Sequence, residues 1–142
     1  MSQPVTEKSK GSKKTSITGA TTRIIHKLFD NEPGPLPLGS DVFQTDGQDL
    51  LVVVSGSGYR SSTVGSGLIS FDVYVDEVTF IGTCKVFANS TDSHMATIPV
   101  TFLIQNLAAG FHNIMLHPQD GTSTDSNDYF NVLVEVLAGK NS

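Results

Sequence analysis

Residues 68–75 restrict the possible folds of this chain more than any other segment, because apolar and mostly polar side chains alternate along them. The apolar positions are Ile69, Phe71, Val73 and Val75, and those between them are Ser70, Asp72 and Tyr74. A period of two places alternate side chains on opposite faces of an extended strand. The segment therefore predicts a β-strand that is buried on one side only.

The residues after this strand predict a hairpin. Asp76 and Glu77 separate it from a second segment, residues 78–87. A two-residue connection favours a tight turn, although neither residue is the glycine that is usual in a type I′ turn. Gly82 predicts a bulge or bend in the second strand.

Further short apolar segments follow, separated by polar and glycine-rich stretches. They are residues 49–54, 95–104, 111–117 and 131–136. Pro99 predicts an edge or a bulge in residues 95–104, and the glycines around Ser57 are interpreted as loop residues. With about eight strands and no predicted helix, residues 41–142 are expected to form an all-β domain, a β-sandwich of jelly-roll (Greek-key) topology.

Residues 21–40 precede this sandwich. Residues 21–29 fit either a strand or one short helix, and their β-branched residues favour the strand. Residues 31–39 contain three prolines, which remove backbone donors and fix φ. This part predicts a stiff connector that holds neither a helix nor a central strand.

Residues 1–20 are rich in Ser, Thr, Gly and Lys, with too few large apolar side chains to offset the entropy of ordering. They predict an extended basic arm, carrying Lys8, Lys10, Lys13 and Lys14. Residues 1–27 have a net charge of +5 and the remainder −10. The arm is either a solvated tail or a segment that becomes ordered against a neighbouring subunit. Nucleic acid is not the expected partner, because the body is acidic and no aromatic residue lies between the lysines.

Composition indicates one soluble globular domain. The chain has 142 residues, 38% hydrophobic and 16% charged, and a mean hydropathy of −0.02. Its single cysteine, Cys84, cannot form an intrachain disulfide and is expected to be a buried, inert thiol. No segment has the length and apolarity of a membrane span or of a secretory signal, so a protein that works outside a cell is expected to leave by lysis, through a dedicated machine or as part of a particle. The expected location is a virion or another extracellular assembly.

One acidic loop contains candidate metal ligands. Its oxygen-bearing residues are Asp120, Asp125, Asn127 and Asp128. Closely spaced hard oxygen ligands suit Ca²⁺, although the EF-hand order is absent, and the same residues also stabilise loops through Asx turns. The histidines, His26, His94, His112 and His117, lack a helical metal spacing and are interpreted as surface or hydrogen-bonded residues.

No catalytic residues are predicted. The serines are not set in a Gly-x-Ser-x-Gly elbow, and the Gly-x-Gly sequences lack the strand and helix of a phosphate-binding loop. We therefore expect a protein that is not an enzyme and has no cofactor, apart from the calcium candidate.

The closing third resembles the C1q and tumour-necrosis-factor superfamily. In that superfamily a Leu-x-x-Gly turn introduces a strand, and an acidic loop leads to an Asn-Asp-x-x-Phe-like segment and the last core strand. Leu107, Gly110, Ile114 and Leu116 match the first part, and Asp125, Asn127, Asp128, Phe130, Val132, Val134 and Val136 match the second. The resemblance covers about 35 residues. It implies a compact jelly roll that trimerises by burying apolar side chains of one sheet.

Together these features predict a non-enzymatic structural or attachment module, a trimeric jelly-roll protein that decorates or joins a larger assembly such as a bacteriophage virion. Its expected partners are copies of itself and other structural proteins. The alternative is a soluble lectin-like protein that binds a glycan through its end loops, with Tyr59, Asn89, Asp92 and Tyr129 as the candidate residues. A receptor ligand in the manner of the resembled superfamily is a third hypothesis.

Overall fold

The computed structural model describes residues 23–61 and 67–138, and every helix or strand assigned within those ranges is a strand. The strands are β1 (Ile24–Pro33), β2 (Leu38–Gly39), β3 (Phe43–Thr45), β4 (Leu50–Ser55), β5 (Ser57–Arg60), β6 (Leu68–Val75), β7 (Thr79–Phe87), β8 (Met95–Ala96), β9 (Val100–Ile104), β10 (Gly110–His112), β11 (Ile114–Pro118), β12 (Thr122–Ser123) and β13 (Tyr129–Val136). Among these residues there is no helix with the length and apolarity needed to cross a membrane. The predicted all-β class is confirmed. The lysines of the predicted arm lie outside the described residues.

Two four-stranded antiparallel sheets form the layers of a jelly-roll sandwich. Sheet 1 has the strand order β1-β13-β4-β9, and sheet 2 has the order β2-β11-β6-β7. The remaining strands form the pair β10-β3 and the small sheet β12-β5-β8. Strands that are distant in the sequence thus pair directly, as β1 does with β13 and β4 with β9. This is the connectivity that the jelly-roll prediction requires.

The core lies between the two large sheets and uses alternate residues of their strands. All four predicted inward residues of β6 are at most 1% exposed. In β13, Phe130, Val132 and Val134 are fully buried. Phe71 meets Phe130 edge to face, with ring centroids 5.5 Å apart. This aromatic pair therefore joins the two strands whose alternation was clearest in the sequence.

The predicted hairpin between β6 and β7 is confirmed. Asp76 and Glu77 both have left-handed φ values, 55° and 66°, and the Val78 N–H donates to the Val75 carbonyl at 3.2 Å. A type I′ turn requires two such residues. Ile81 is the extra residue of a bulge, because Val73 pairs with Gly82 while Tyr74 pairs with Phe80.

Two predicted strands are divided. Residues 95–104 form β8 and β9, which belong to different sheets, and Pro99 lies in the break where it has no N–H to donate. Residues 111–117 divide at Asn113, whose N–H donates to the Asp76 side chain and whose carbonyl accepts from the Asp76 N–H. The hairpin turn thereby occupies the backbone groups that would have continued the strand.

The interpretation of the first Ser/Gly stretch as a loop is wrong. Gly58 lies within β5, and Gly56 immediately precedes it. A Cβ added to Gly56 would overlap the rings of Phe130 and Phe71. The glycine is needed because core side chains approach the backbone here, and not because the chain turns.

Candidate functional site

The polar loops that the sequence singled out meet at one end of the sandwich. His94 directly precedes β8, and Asp128 directly precedes β13. Strand β5 pairs with β8 on one side and with β12 on the other, so the small sheet brings the loops on either side of it together. The His94 Nδ1 lies 2.8 Å from Asp128 Oδ1 and joins the two loops directly.

Asp128 organises this cluster, and its side chain is fully buried. Its Oδ1 accepts from the Ser57 hydroxyl at 2.7 Å as well as from His94. Its Oδ2 accepts from the Asp125 N–H at 2.9 Å. A buried carboxylate is tolerated when hydrogen bonds replace its hydration, and here both oxygens are engaged.

The acidic loop is closed by its own polar groups. The Asp128 N–H donates to the Asp125 carbonyl at 3.0 Å, and the Asn127 N–H donates to Asp125 Oδ1 at 2.8 Å. The second of these is an Asx-turn bond, the alternative role that the sequence allowed for these residues, and the first is the backbone bond of a β-turn. The loop therefore presents Asp125 and Asp128 in a defined geometry before any ligand binds.

His94 has an environment that favours its charged form. The hydrogen bond to Asp128 raises the pKa of His94, desolvation opposes this, and the charges of Asp128 and Asp125 raise it further. The Tyr59 ring lies with its centroid 4.5 Å from that of His94. A protonated imidazole against an aromatic ring gains a cation–π attraction.

Three side chains of this cluster could hold a cation. One ligand atom from each of His94, Asp125 and Asp128 lies within 4.8 Å of the others. Among residues 23–61 and 67–138, these are the His, Cys, Asp or Glu side chains that come close enough together, three at a time, to hold an ion. Asp120 does not belong to this group. The hydrogen bond that Asn127 makes with Asp125 uses the Asn127 backbone N–H. The imidazole of this set suits a transition metal better than Ca²⁺, which takes oxygen ligands. The calcium site stays a prediction.

The serine of the cluster does not have the geometry of a catalytic triad. Ser57 and His94 both bond to the same oxygen of Asp128. In a triad the serine hydroxyl bonds to the histidine, and the histidine bonds to the carboxylate through its other nitrogen. Ser57 instead links the strand to the loop, and it also accepts from the Tyr129 N–H at 3.3 Å.

The four residues predicted to bind a glycan do not all lie together. Tyr59 joins the cluster, and Tyr129 lies beside it with half of its surface exposed. The Asp92 N–H donates to the Arg60 carbonyl at 2.7 Å, which attaches that loop to β5. Asn89 lies at an apolar groove described below. His94 and Ser57 were not predicted as site residues, because each lies in a polar stretch without a motif.

The outer face of sheet 1 is a second candidate surface. Its apolar side chains alternate with the buried residues of the four strands; we call Ile25, Leu51, Val53, Leu103 and Leu133 the apolar face. Leu51 pairs with Leu103 and Val53 with Leu133, so the apolar residues adjoin across strands. Leu103 is 54% exposed and Val53 38%. A sheet whose outer side faces water usually carries polar residues on that side. Because this face is apolar instead, it is suited to a protein contact.

The charged residues on this face neutralise each other. Glu135 lies opposite Leu51 and Ile25, within the apolar face. The guanidinium of Arg23 holds its carboxylate at 2.8 Å and 3.0 Å. Lys27, opposite Leu133, pairs with Asp30 at 3.1 Å. The face therefore presents little unpaired charge to a partner.

No protein-family model matches the chain, and no curated protein sequence matches it significantly. Among solved structures, its fold is similar to Eiger TNF from S. frugiperda, with 14% identity, a TM-score of 0.48, and coverage of 85% of this chain and 87% of that chain. It is also similar to a chain of infectious bursal disease virus, Gt strain, with 16% identity, a TM-score of 0.37, and coverage of 80% of this chain and 32% of that chain.

Proposed function

We propose that the protein is a non-enzymatic structural or attachment module, a homotrimer that decorates or joins a larger assembly such as a bacteriophage virion. The observation that supports this most directly is the apolar face of sheet 1. Burying exposed apolar area stabilises association by about 25 cal/mol per Å². The outer side of sheet 1 is apolar, and its charged residues pair with each other. Its burial therefore gains this energy without leaving a charge unpaired.

The basic arm supports the second part of the proposal. The arm and the body have opposite net charges, +5 for residues 1–27 and −10 for the rest. Opposite charges on an extended segment and a globular body favour contact between neighbouring subunits or with another acidic component. Assembly through both surfaces would place the protein in a virion or a similar extracellular particle.

The native mass in solution tests the oligomer. The wild-type chain is expected to have the mass of a trimer by light scattering. Val53→Glu and Leu103→Glu each place a charge in the apolar face and are expected to give folded monomers. Val78→Glu is the matched control, because Val78 is 79% exposed beside the β6–β7 turn, away from sheet 1. A wild-type monomer, or an equal loss of mass in Val78→Glu, would contradict the proposal.

Deletion of residues 1–20 tests the arm. The truncated chain is expected to keep the far-ultraviolet spectrum of the body but to be missing from the assembled particle. An arm-deleted protein that is incorporated normally would show that the arm has no part in attachment.

A lectin-like function is the second candidate, favoured by the meeting of the two loops at His94 and Asp128. Tyr59 and Tyr129 supply aromatic surface beside a fixed set of carboxylates, the combination needed to stack on a sugar ring and bind its hydroxyls. A glycan array distinguishes the candidates. Saturable binding that Tyr129→Ala abolishes would favour the lectin, and no binding would leave assembly as the function.

A further inference from the structure

An apolar groove at the β7 edge of sheet 2 belongs to neither surface described above. It has a volume of about 530 Å³ and lies between the end of β7 and the segment that contains β8. Its apolar lining consists of Leu68, Val86, Phe87, Met95 and Ile98. Phe87 is 75% exposed and Ile98 64%. Large apolar side chains that remain this exposed around a concave surface indicate a binding site.

The groove also holds a lysine that has no ion-pair partner among the residues that the structure describes. Lys85 lines it together with Asn89. Lys85 and Phe87 are two residues apart in β7 and so share a face of the strand, and Leu68, which pairs with Phe87, lies on that face too. Lys85 forms no ion pair within residues 23–61 and 67–138.

The other cations of the described residues have partners. Arg23 pairs with Glu135, Lys27 pairs with Asp30, and the buried Arg60 donates to the Leu68 carbonyl at 2.7 Å. Thirteen acidic residues lie after residue 27, and none of those in the described ranges is paired with Lys85. An unpaired ammonium beside an apolar groove, on a body of net negative charge, attracts a ligand that has both an apolar part and an anionic group.

We propose that this groove binds a small amphipathic organic anion, an aliphatic chain or ring system that carries one carboxylate. The apolar part lies against Phe87, Ile98 and Leu68, and the carboxylate contacts the Lys85 ammonium. A small ligand fits better than a protein segment, because the volume lies within the range of about 300–1,000 Å³ that is usual for ligand pockets. The site is separate from the apolar face of sheet 1, so ligand binding and oligomerisation can be tested independently.

Titration with decanoate by isothermal calorimetry tests the proposal on the full-length chain. Saturable binding is expected, and Lys85→Gln is expected to weaken it by up to about fivefold, as for an exposed charge pair. Lys85→Arg keeps the positive charge at the same position and is the matched control, expected to leave binding unchanged. Decanol, which has no charge, is expected to bind wild type and Lys85→Gln equally.

A groove variant separates the apolar contribution from the charge. Ile98→Asp is expected to abolish the binding of both decanoate and decanol, and Phe87→Ser is a second variant at a still more exposed residue in case the first fails to fold. Three results would overturn the proposal: no saturable binding, equal weakening by Lys85→Gln and Lys85→Arg, or a lower native mass in Ile98→Asp. The last would identify the groove as a protein interface.

Discussion

The hydrogen bonds of His112 predict that the folded protein holds this residue as a cation and loses stability when it is deprotonated. Its Nδ1 lies 2.7 Å from Asp76 Oδ2, and its Nε2 lies 2.7 Å from the Ala108 carbonyl oxygen. Both partners are acceptors, so both ring nitrogens must carry a hydrogen. A neutral imidazole has one N–H and leaves one of the two contacts unmade.

The direction of the pKa shift agrees with this geometry. Burial lowers the pKa of His112, but the hydrogen bonds to Asp76 and Ala108 and the charge of Asp76 together raise it above its ordinary value of 6.5. A folded-state pKa above the unfolded value means that the stabilisation is fully present below 6.5. It is lost as the pH rises through the folded-state pKa.

The expected magnitude follows from the two bonds. A hydrogen bond to a charged partner contributes about 1.5–3 kcal/mol, and the side chain of Asp76 is 41% exposed, which places its bond near the lower limit. We expect His112→Ala to lower the free energy of unfolding by about 2–3 kcal/mol at acidic pH and by about 1–2 kcal/mol less at alkaline pH. The lost stability comes from the contacts that join the β6–β7 turn to the loop before β10.

Urea denaturation at about pH 5.5 and about pH 8.5 measures this effect. The pKa of His94 is also raised, so His94→Ala is the background for the comparison. The background variant should be less stable at the higher pH, and adding His112→Ala should remove most of that pH dependence. If both variants lose the same stability between the two pH values, His112 is not the proton-linked group and the reasoning is refuted.

Three further predictions concern buried residues. Gly56→Ala should lower the free energy of unfolding by about 1–3 kcal/mol in urea denaturation, because its methyl group would overlap Phe130; unchanged stability would contradict the packing argument. Burial raises the pKa of the Cys84 thiol to about 12, so Ellman's reagent should label it in urea but not in buffer, and rapid labelling of the native protein would contradict this. Asp128→Asn puts an amide where the carboxylate accepts three hydrogen bonds, so thermal unfolding should show a loss of about 1–3 kcal/mol in the free energy of unfolding. The NMR titration of His94 should also move to lower pH. An unchanged titration would show that Asp128 does not set the His94 charge.

The elements that could be predicted from the sequence are those defined by contacts between close neighbours in the chain. The alternation in β6 reflects one buried face, and all four of its predicted inward residues are buried. The Asp76–Glu77 turn was predicted from the spacing of the strands alone. Two candidate ligand residues of the acidic loop, Asp125 and Asp128, lie close together, and the metal site itself stays a prediction.

The candidate site was not predictable, because its residues are far apart in the chain. His94 is 34 residues from Asp128, and Ser57 is 71 residues from it. No local pattern states that β5 pairs with both β8 and β12, although this pairing brings the three residues together. The histidine therefore had no visible partner in the sequence.

The sequence by itself determined the all-β class, the inward face of β6 and the opposite charges of arm and body, because alternation and charge are properties of neighbouring residues. Only the tertiary structure decided that Gly56 lies against the core aromatics, that Lys85 and Phe87 border a groove, and that one side of sheet 1 is apolar across several strands. These features depend on the register between strands distant in the chain. That register is set by how all the strands fill one core, and no single segment encodes it.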